Sequence, residues 1–340
     1  MTTLLETTSW LIDIPSETGS EAPIRDAVAD RLDQFPQTPV ADSLVVGEPG
    51  AGTILLVGHL DTVPLQGDRG PRVEGDRLVG LGATDMKSGL AVMIHLIEAL
   101  GTGKLAGVFY AGEEGPLSGN QLAPVLDEMP GLADAGAAIV LEPTDREVQA
   151  GCQGAINATV GFSGEAAHSA RPWLGENAVT RAGPWLTQMH SRAPEERIVN
   201  GLVFKEVVSV TTASGGVANN IIPARFELNV NYRFAPDRTV EEATDRLQAV
   251  CEGVDSFEVA DTAPPGTVDI DNPLFAALIE VSGAPVVGKQ GWTDVAQLSQ
   301  AGIPAVNFGP GETTLAHKPG ESVRIGDLDW AYESLSAVLD

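Results

Sequence analysis

Residues 53–64 read TILLVGHLDTVP. From Thr53 to Gly58 the chain reads as a buried strand, a continuous apolar run bounded by glycine. That strand delivers His59 at its end and Asp61 two residues later. Residues i and i+2 of an extended chain point the same way, so Asp61 can reach the His59 imidazole from behind. A carboxylate there would fix the tautomer and raise the basicity of the ring. Outward from this stretch, Asp85 follows in GATDMKSG, Glu113 and Glu114 in AGEEG, Glu142 in VLEPT and His317 in LAHKPGE. Each follows an apolar run or sits in a Gly/Pro-rich loop, where α/β proteins place site residues. One imidazole at each end and four or more acids between them fit two metal ions sharing a carboxylate, and therefore water attack on an amide.

The flanking sequence predicts the frame. The start, MTTLLETTSWLIDIPSETG, reads as a first helix rather than a signal peptide, because it has no basic leader and carries acids among its apolar residues. Ser20 and Glu21 open an amphipathic run with Ile24, Val28, Leu32 and Phe35 at helical spacing. Leu90, Met93, Ile94, Ile97 and Leu100 mark one face of a helix over 86–100 that Gly101 stops. Strands fit 106–110 and 137–141. Strands alternating with helices at this spacing predict an α/β domain with a largely parallel sheet covered on both faces.

After Gly151 the pattern changes. Residues 155–162, 207–212 and 225–233 alternate apolar and polar, as half-exposed antiparallel strands do. Helices fit 177–190 and 240–251, so this segment predicts an α+β domain, an antiparallel sheet with two helices. From Asp271 the helical and apolar-strand pattern returns, through 304–308 to a last helix at 327–339. The expected organisation is a discontinuous catalytic domain, 1–151 and 263–340, interrupted by an inserted domain, 152–262.

Composition narrows the function classes. Of 340 residues, 20 are Lys or Arg and 47 are Asp or Glu, a net charge of −27 that argues against nucleic acid or an anionic membrane surface as partner. Mean hydropathy is near zero, and no apolar run approaches the ~18 residues that span a bilayer. Cys152 and Cys251 form neither a disulfide framework nor a thiolate zinc site, which suits a reducing compartment; a cytoplasmic location is expected. GLGATD lacks the third glycine of a dinucleotide loop and no GxxxxGK[ST] occurs, so a nucleotide-binding reading finds no support.

Taken singly, His95 and His190 lie within helical runs and read as packing residues. Asp85, between a Gly-rich turn and a helix, could serve as N-cap, as ligand, or as both. Glu113 and Glu114 end an apolar strand, and adjacent residues there point to opposite sides; one can bind metal while the other faces the attacking water. Two divalent ions would be balanced by Asp85, Glu114, Glu142 and one hydroxide, leaving Glu113 as proton acceptor. Histidine and carboxylate ligands suit zinc or cobalt better than magnesium.

HLDTVP, GATDMKSG, EEG, LEPT and the late HK closely resemble the M20 family of co-catalytic metallohydrolases, in the family's order and over essentially the whole chain. The resemblance implies two zinc ions per subunit, cobalt substituting: His59 and Glu142 on one, Glu114 and His317 on the other, Asp85 bridging. It further implies Glu113 as general base and acid, Asp61 orienting His59, and a cis peptide bond after Asp85. GEAAHSARPWLGENA resembles the family's dimerisation segment, whose histidine, His168 here, enters the partner subunit's site to stabilise the oxyanion. A homodimer is therefore expected. ANNIIPA and NYRF place Asn219, Asn220 and Arg233 where the family holds the substrate's carboxylate end, and an Arg fork suits a carboxylate.

Within the family, GCQG, GGVANNIIP, NYRFAPDR and GWTDVAQLS look most like the actinobacterial succinyl-diaminopimelate desuccinylases. The resemblance implies a small N-acyl amino acid as substrate, N-succinyl-LL-2,6-diaminopimelate first. Acetylornithine, another N-acyl amino acid or a dipeptide is the alternative. Two departures bear on that choice. GCQG lacks the arginine that better-known desuccinylases carry in this loop, and their Gly-Thr-Ser-Asp run reads Gly291-Trp292-Thr293-Asp294 here, with Thr293 the expected substrate contact.

Overall fold

The computed structural model describes residues 2–65, 67 and 70–340. The chain divides into two compact units. One comprises the described residues of Met1–Gly151 with Asp269–Val287 and Gln297–Asp340; the other comprises Cys152–Val268 with Gly288–Ala296.

The first unit is built on an eight-stranded sheet in the order Gln37–Val40, Ser43–Val46, Leu105–Tyr110, Ile54–His59, Ala137–Val140, Ala305–Asn307, Val148–Ala150, Val286–Gly288. Its four central strands, from Leu105–Tyr110 to Ala305–Asn307, run parallel. The pairs Gln37–Val40 with Ser43–Val46, Ser43–Val46 with Leu105–Tyr110, and Ala305–Asn307 with Val148–Ala150 are antiparallel. The central strands are apolar and buried at nearly every position, because helices close both faces of a parallel sheet. Register fixes the site: His59 lies opposite Tyr110 and Val57 opposite Val140. Residues 59–61, 111–114 and 141–142 therefore leave the sheet side by side at its carboxyl end.

The helix Lys87–Leu100 packs on the sheet through Leu90, Met93, Ile94 and Ile97, all fully buried. Each such side chain contributes about 1.5–3 kcal/mol of apolar burial. Close approach requires glycine at position 58, where a Cβ would stand 2.8–2.9 Å from Met86, Leu90 and Met93. Helices Leu4–Ile12 and Ile325–Leu339 pack against the same helix. A separate three-stranded sheet joins Ser322–Arg324, Arg77–Val79 and Arg72–Glu74.

The second unit is a five-stranded antiparallel sheet in the order Glu195–Val199, Leu202–Gly215, Arg225–Phe234, Gly154–Ser163, Ser256–Ala263. Alternation sends Phe226, Leu228, Val230, Tyr232 and Phe234 into one core with Trp185, Met189, Ala243 and Leu247 from the helices. The run 177–190, expected as one helix, forms two, Ala178–Arg181 and Gly183–His190. Pro184 has no N–H to continue the first helix but is well suited to the opening turn of a second. The outer strands Glu195–Val199 and Ser256–Ala263 have no fully buried position, so the sequence marks them only weakly. Among the described residues no helix is long and apolar enough to cross a membrane.

Candidate metal centre

The five expected ligands, His59, Asp85, Glu114, Glu142 and His317, and the expected base, Glu113, come together in the first unit. One atom from each of His59, Asp85 and Glu142 lies within 4.8 Å of the others, and the same holds for Asp85, Glu114 and His317, and for His59, Glu113 and Glu114. Asp85 belongs to both of the first two groups. His59 Nε2 lies 3.1 Å from Asp85 and 3.6 Å from Glu142, while His317 Nε2 lies 2.9 Å from Glu114 and 3.2 Å from Asp85.

Local structure explains each placement. His59 and Asp61 are buried at the end of strand Ile54–His59. The backbone carbonyl of Asp61, at 3.0 Å, lies closest to His59 Nδ1, and the Asp61 carboxylate stands at 3.6 Å. The carboxylate has a second task that the sequence did not signal. It accepts the backbone N–H of Glu113 at 3.1 Å and of Glu114 at 3.0 Å, and the Thr18 hydroxyl at 2.9 Å. The side chain of Asp61 thus ties down the backbone of the acidic pair, while its main-chain carbonyl is the nearest partner of the His59 ring. Gly112 turns the chain into that pair at φ +80°, and a Cβ there would meet the Gly119 carbonyl at 2.3 Å.

Asp85 is not a cap: Met86 holds the N-cap position of Lys87–Leu100 with no side-chain bond, and the Asp85–Met86 peptide bond is cis. Its loop is held by Glu321, which accepts the backbone N–H groups of Gly82, Thr84 and Asp85 at 3.1, 2.8 and 2.9 Å. Burial raises the Glu321 carboxyl to about 7 against these bonds. Lys87, buried beside it, donates to the Ile14 carbonyl at 2.7 Å and is lowered by burial to about 8. His317 follows the short turn Thr313–Leu315 in a left-handed conformation, φ 59°, a region that costs a non-glycine residue about 1–3 kcal/mol. Glu321 and Lys87 lie within LAHKPGE and GATDMKSG, but only the fold gives them a role. Thr18 had no sequence signal at all.

The electrostatics favour cations at both imidazoles. Burial works against a charged His59, yet hydrogen bonds to Asp61 and Asp85 and the charges of Glu113 and Glu142 raise it well above its ordinary value. Asp85 and Glu114 raise His317 to about 10. Asp85 is held far below the carboxylate range against its burial, chiefly by His317 and His59. Four carboxylates around two imidazole nitrogens, with one acid shared, are a donor set that fits two divalent ions.

The expected substrate residues all lie in the second unit. His168 is exposed, in a loop where Ser169 N–H donates to the Asn220 carbonyl at 2.9 Å. His168 Nδ1 accepts the Ala170 N–H at 3.1 Å, which puts the proton of the neutral ring on Nε2. Asn219 and Asn220 are exposed beside it. Arg233 projects from strand Arg225–Phe234 into an open cavity of about 520 Å³ with Lys205 and Trp292 on its walls. Thr293 faces inward instead: it is buried, and its hydroxyl has no hydrogen-bond partner among the described residues.

An α/β unit that gathers a di-metal donor set at the carboxyl end of its parallel strands, joined to a unit with an antiparallel sheet, defines a co-catalytic metallohydrolase. The chain belongs to peptidase family M20/M25/M40, whose model matches residues 55–340. A Mycobacterium tuberculosis protein provisionally named succinyl-diaminopimelate desuccinylase DapE is 38% identical, covering 98% of this chain and 97% of that protein. Succinyl-diaminopimelate desuccinylase of Corynebacterium glutamicum is 36% identical, covering 94% and 92%. The crystal structure of aminopeptidase PepT from Bacillus cereus shares the fold at 21% identity, TM-score 0.79, covering 99% of this chain and 97% of that one.

Proposed function

We propose that this metallohydrolase cleaves the amide of N-succinyl-LL-2,6-diaminopimelate, giving succinate and LL-2,6-diaminopimelate. The observation that carries this reading is near-full-length similarity to relatives bearing that name, in a chain whose five candidate ligands converge. Two divalent ions, zinc by preference and cobalt as substitute, held by His59, Glu142 and Asp85 and by Glu114, His317 and Asp85, would polarise the amide carbonyl and acidify a water. Glu113 takes the proton of the attacking water and hands it to the leaving amine. Asp61 keeps His59 and the Glu113 backbone in register. Nε2–H of His168, supplied by the partner of a homodimer, donates to the carbonyl oxygen as it gains charge. Arg233, Asn219 and Asn220 hold the carboxylate end, Thr293 being buried away from it, and the reaction belongs to the cytoplasm. The departures at Gln153 and Trp292 favour testing acetylornithine and a dipeptide as rival substrates.

Comparison of kcat/KM on the three substrates decides between them; a higher value for acetylornithine or the dipeptide overturns the assignment. Glu113→Gln is expected to lower kcat by about 10²–10⁴ with metal content unchanged. Mixing Glu113→Gln with His168→Ala should then restore part of the activity through hybrid dimers, and no recovery would exclude action across the dimer.

A further inference from the structure

The cavity around Arg233 holds a second cation that the family resemblance does not assign. Strand register explains why. Val207 lies directly opposite Arg233 on neighbouring antiparallel strands, and Lys205 stands two residues before Val207. Lys205, Val207 and Arg233 therefore share one face, the polar face of the sheet, with the Lys205 and Arg233 Cβ atoms on a diagonal about 7–8 Å apart. The opposite face is the hydrophobic core.

The wall carrying Lys205 is fixed rather than free. Gln290 accepts the Lys205 N–H at 2.9 Å and donates to the Val203 and Gly288 carbonyls at 2.8 and 3.0 Å. Gln153 donates to the Lys205 carbonyl at 2.7 Å and accepts the Gly291 N–H at 3.0 Å. Both glutamine amides are thus committed to backbone groups of this strand and of Gly288 and Gly291. The Trp292 indole is pinned by its bond to the Pro264 carbonyl at 3.0 Å. The two cations are what remains for a ligand. Arg233 is part-buried and spends only Nε, on the Asn231 amide oxygen at 3.1 Å; among the described residues it forms no ion pair. Burial lowers its pKa, and the charge of Asp261 offsets this only in part. Lys205 Nζ has Glu196 at 3.9 Å, both more than half exposed, a contact of the kind water screens. A part-buried guanidinium without an anion is costly, and a bound carboxylate removes that cost.

We propose that Lys205 and Arg233 form a two-cation subsite that selects substrates carrying a second carboxylate away from the scissile amide. Arg233 takes one carboxylate in its fork, and the longer, mobile Lys205 takes the other. This rests on the amidohydrolase reading and deepens it: the arginine absent from the GCQG loop is replaced in function by a lysine on the strand next to that of Arg233, where Gln153 holds its backbone.

The test is Lys205→Gln, with Lys205→Arg as rescue. On N-succinyl-LL-2,6-diaminopimelate, Lys205→Gln should raise KM about tenfold with kcat little changed, and Lys205→Arg should recover most of the loss. On N-acetylalanine, which has one carboxylate, any KM should stay within twofold of the unsubstituted enzyme. Equal changes on both substrates, or no change on the first, overturn the proposal. Calorimetric binding of tricarballylate against butyrate separates this inference from the functional one. If the enzyme proves not to cleave the succinyl substrate, tighter tricarballylate binding that Lys205→Gln abolishes still supports the subsite. Equal tricarballylate affinity in both proteins sinks it.

Discussion

Asp61 concentrates the logic of the site in one side chain. The sequence predicts its carboxylate behind His59; in the fold that carboxylate stands 3.6 Å from Nδ1, farther than the Asp61 main-chain carbonyl at 3.0 Å, and its oxygens receive the backbone of Glu113 and Glu114 and the Thr18 hydroxyl. Its pKa is lowered to about 2, because the His59 bond and charge, the Glu114 N–H and Thr18 together outweigh its burial. Asp61→Ala removes the acceptor of two part-buried N–H groups and frees the acidic pair to turn. The expected result is a loss of about 10–100-fold in zinc affinity or activity, the scale on which groups supporting metal ligands act. Zinc competition against a chromophoric chelator measures it without turnover. Affinity within twofold of the parent would show that the loop holds its shape by other means. The contrast with Glu321 is instructive. His59, Asp85, Glu142 and His317 were readable because an imidazole or a carboxylate at the end of an apolar run or in a Gly/Pro-rich loop stands out from its surroundings. Glu321 accepts three backbone N–H groups, and a backbone donor leaves no mark in the sequence.

At the scale of elements, legibility followed burial only in part: Ser43–Val46 and Val148–Ala150 are buried throughout and are not marked as strands in the sequence. Ile54–His59, Leu105–Tyr110 and Ala137–Val140 are covered on both faces and announce themselves as apolar runs. The hairpin strand Gln37–Val40 and the outer strands Glu195–Val199 and Ser256–Ala263 gain little from burial, so selection on their composition is weak and they passed unread. Inside the second unit the sheet is locked to its helix loop by Glu206, a buried carboxylate that accepts from Arg238 at 2.7 Å, Ala235 N–H at 3.0 Å and Tyr232 at 3.1 Å. Burial pushes its pKa up, but Arg238 and the Ala235 N–H win, and the net shift is downward. A carboxylate whose folded pKa is depressed stabilises the fold above its ordinary range, and that contribution disappears as pH falls through the folded value. Glu206→Gln is therefore expected to cost about 1–3 kcal/mol at pH 7, with the deficit shrinking below pH 4.5, the ordinary value for this group. Urea unfolding of parent and variant across pH 3–7 checks this. A deficit constant with pH would mean that packing, not charge, is lost.

For the whole molecule, the net charge of −27 and the acidic centre invite two explanations for any stabilisation by cations. If self-repulsion dominates, any ion that screens or neutralises acids raises the melting temperature, and magnesium or 0.5 M NaCl does so nearly as well as zinc. If the donor set dominates, the two imidazoles discriminate, since nitrogen ligands favour zinc and magnesium keeps to oxygen and water. An ion that binds only the folded state adds about 2.7 kcal/mol at a hundredfold excess over its Kd, so two sites add about twice that. Micromolar zinc should accordingly raise the melting temperature by several degrees beyond the plateau reached with magnesium. His317→Ala, which leaves His59, Glu142 and Asp85 in place, should lose roughly half of the zinc-specific increment and none of the magnesium response. Equal shifts from zinc and magnesium in the parent would assign the effect to the acidic surface and leave the centre without its metal.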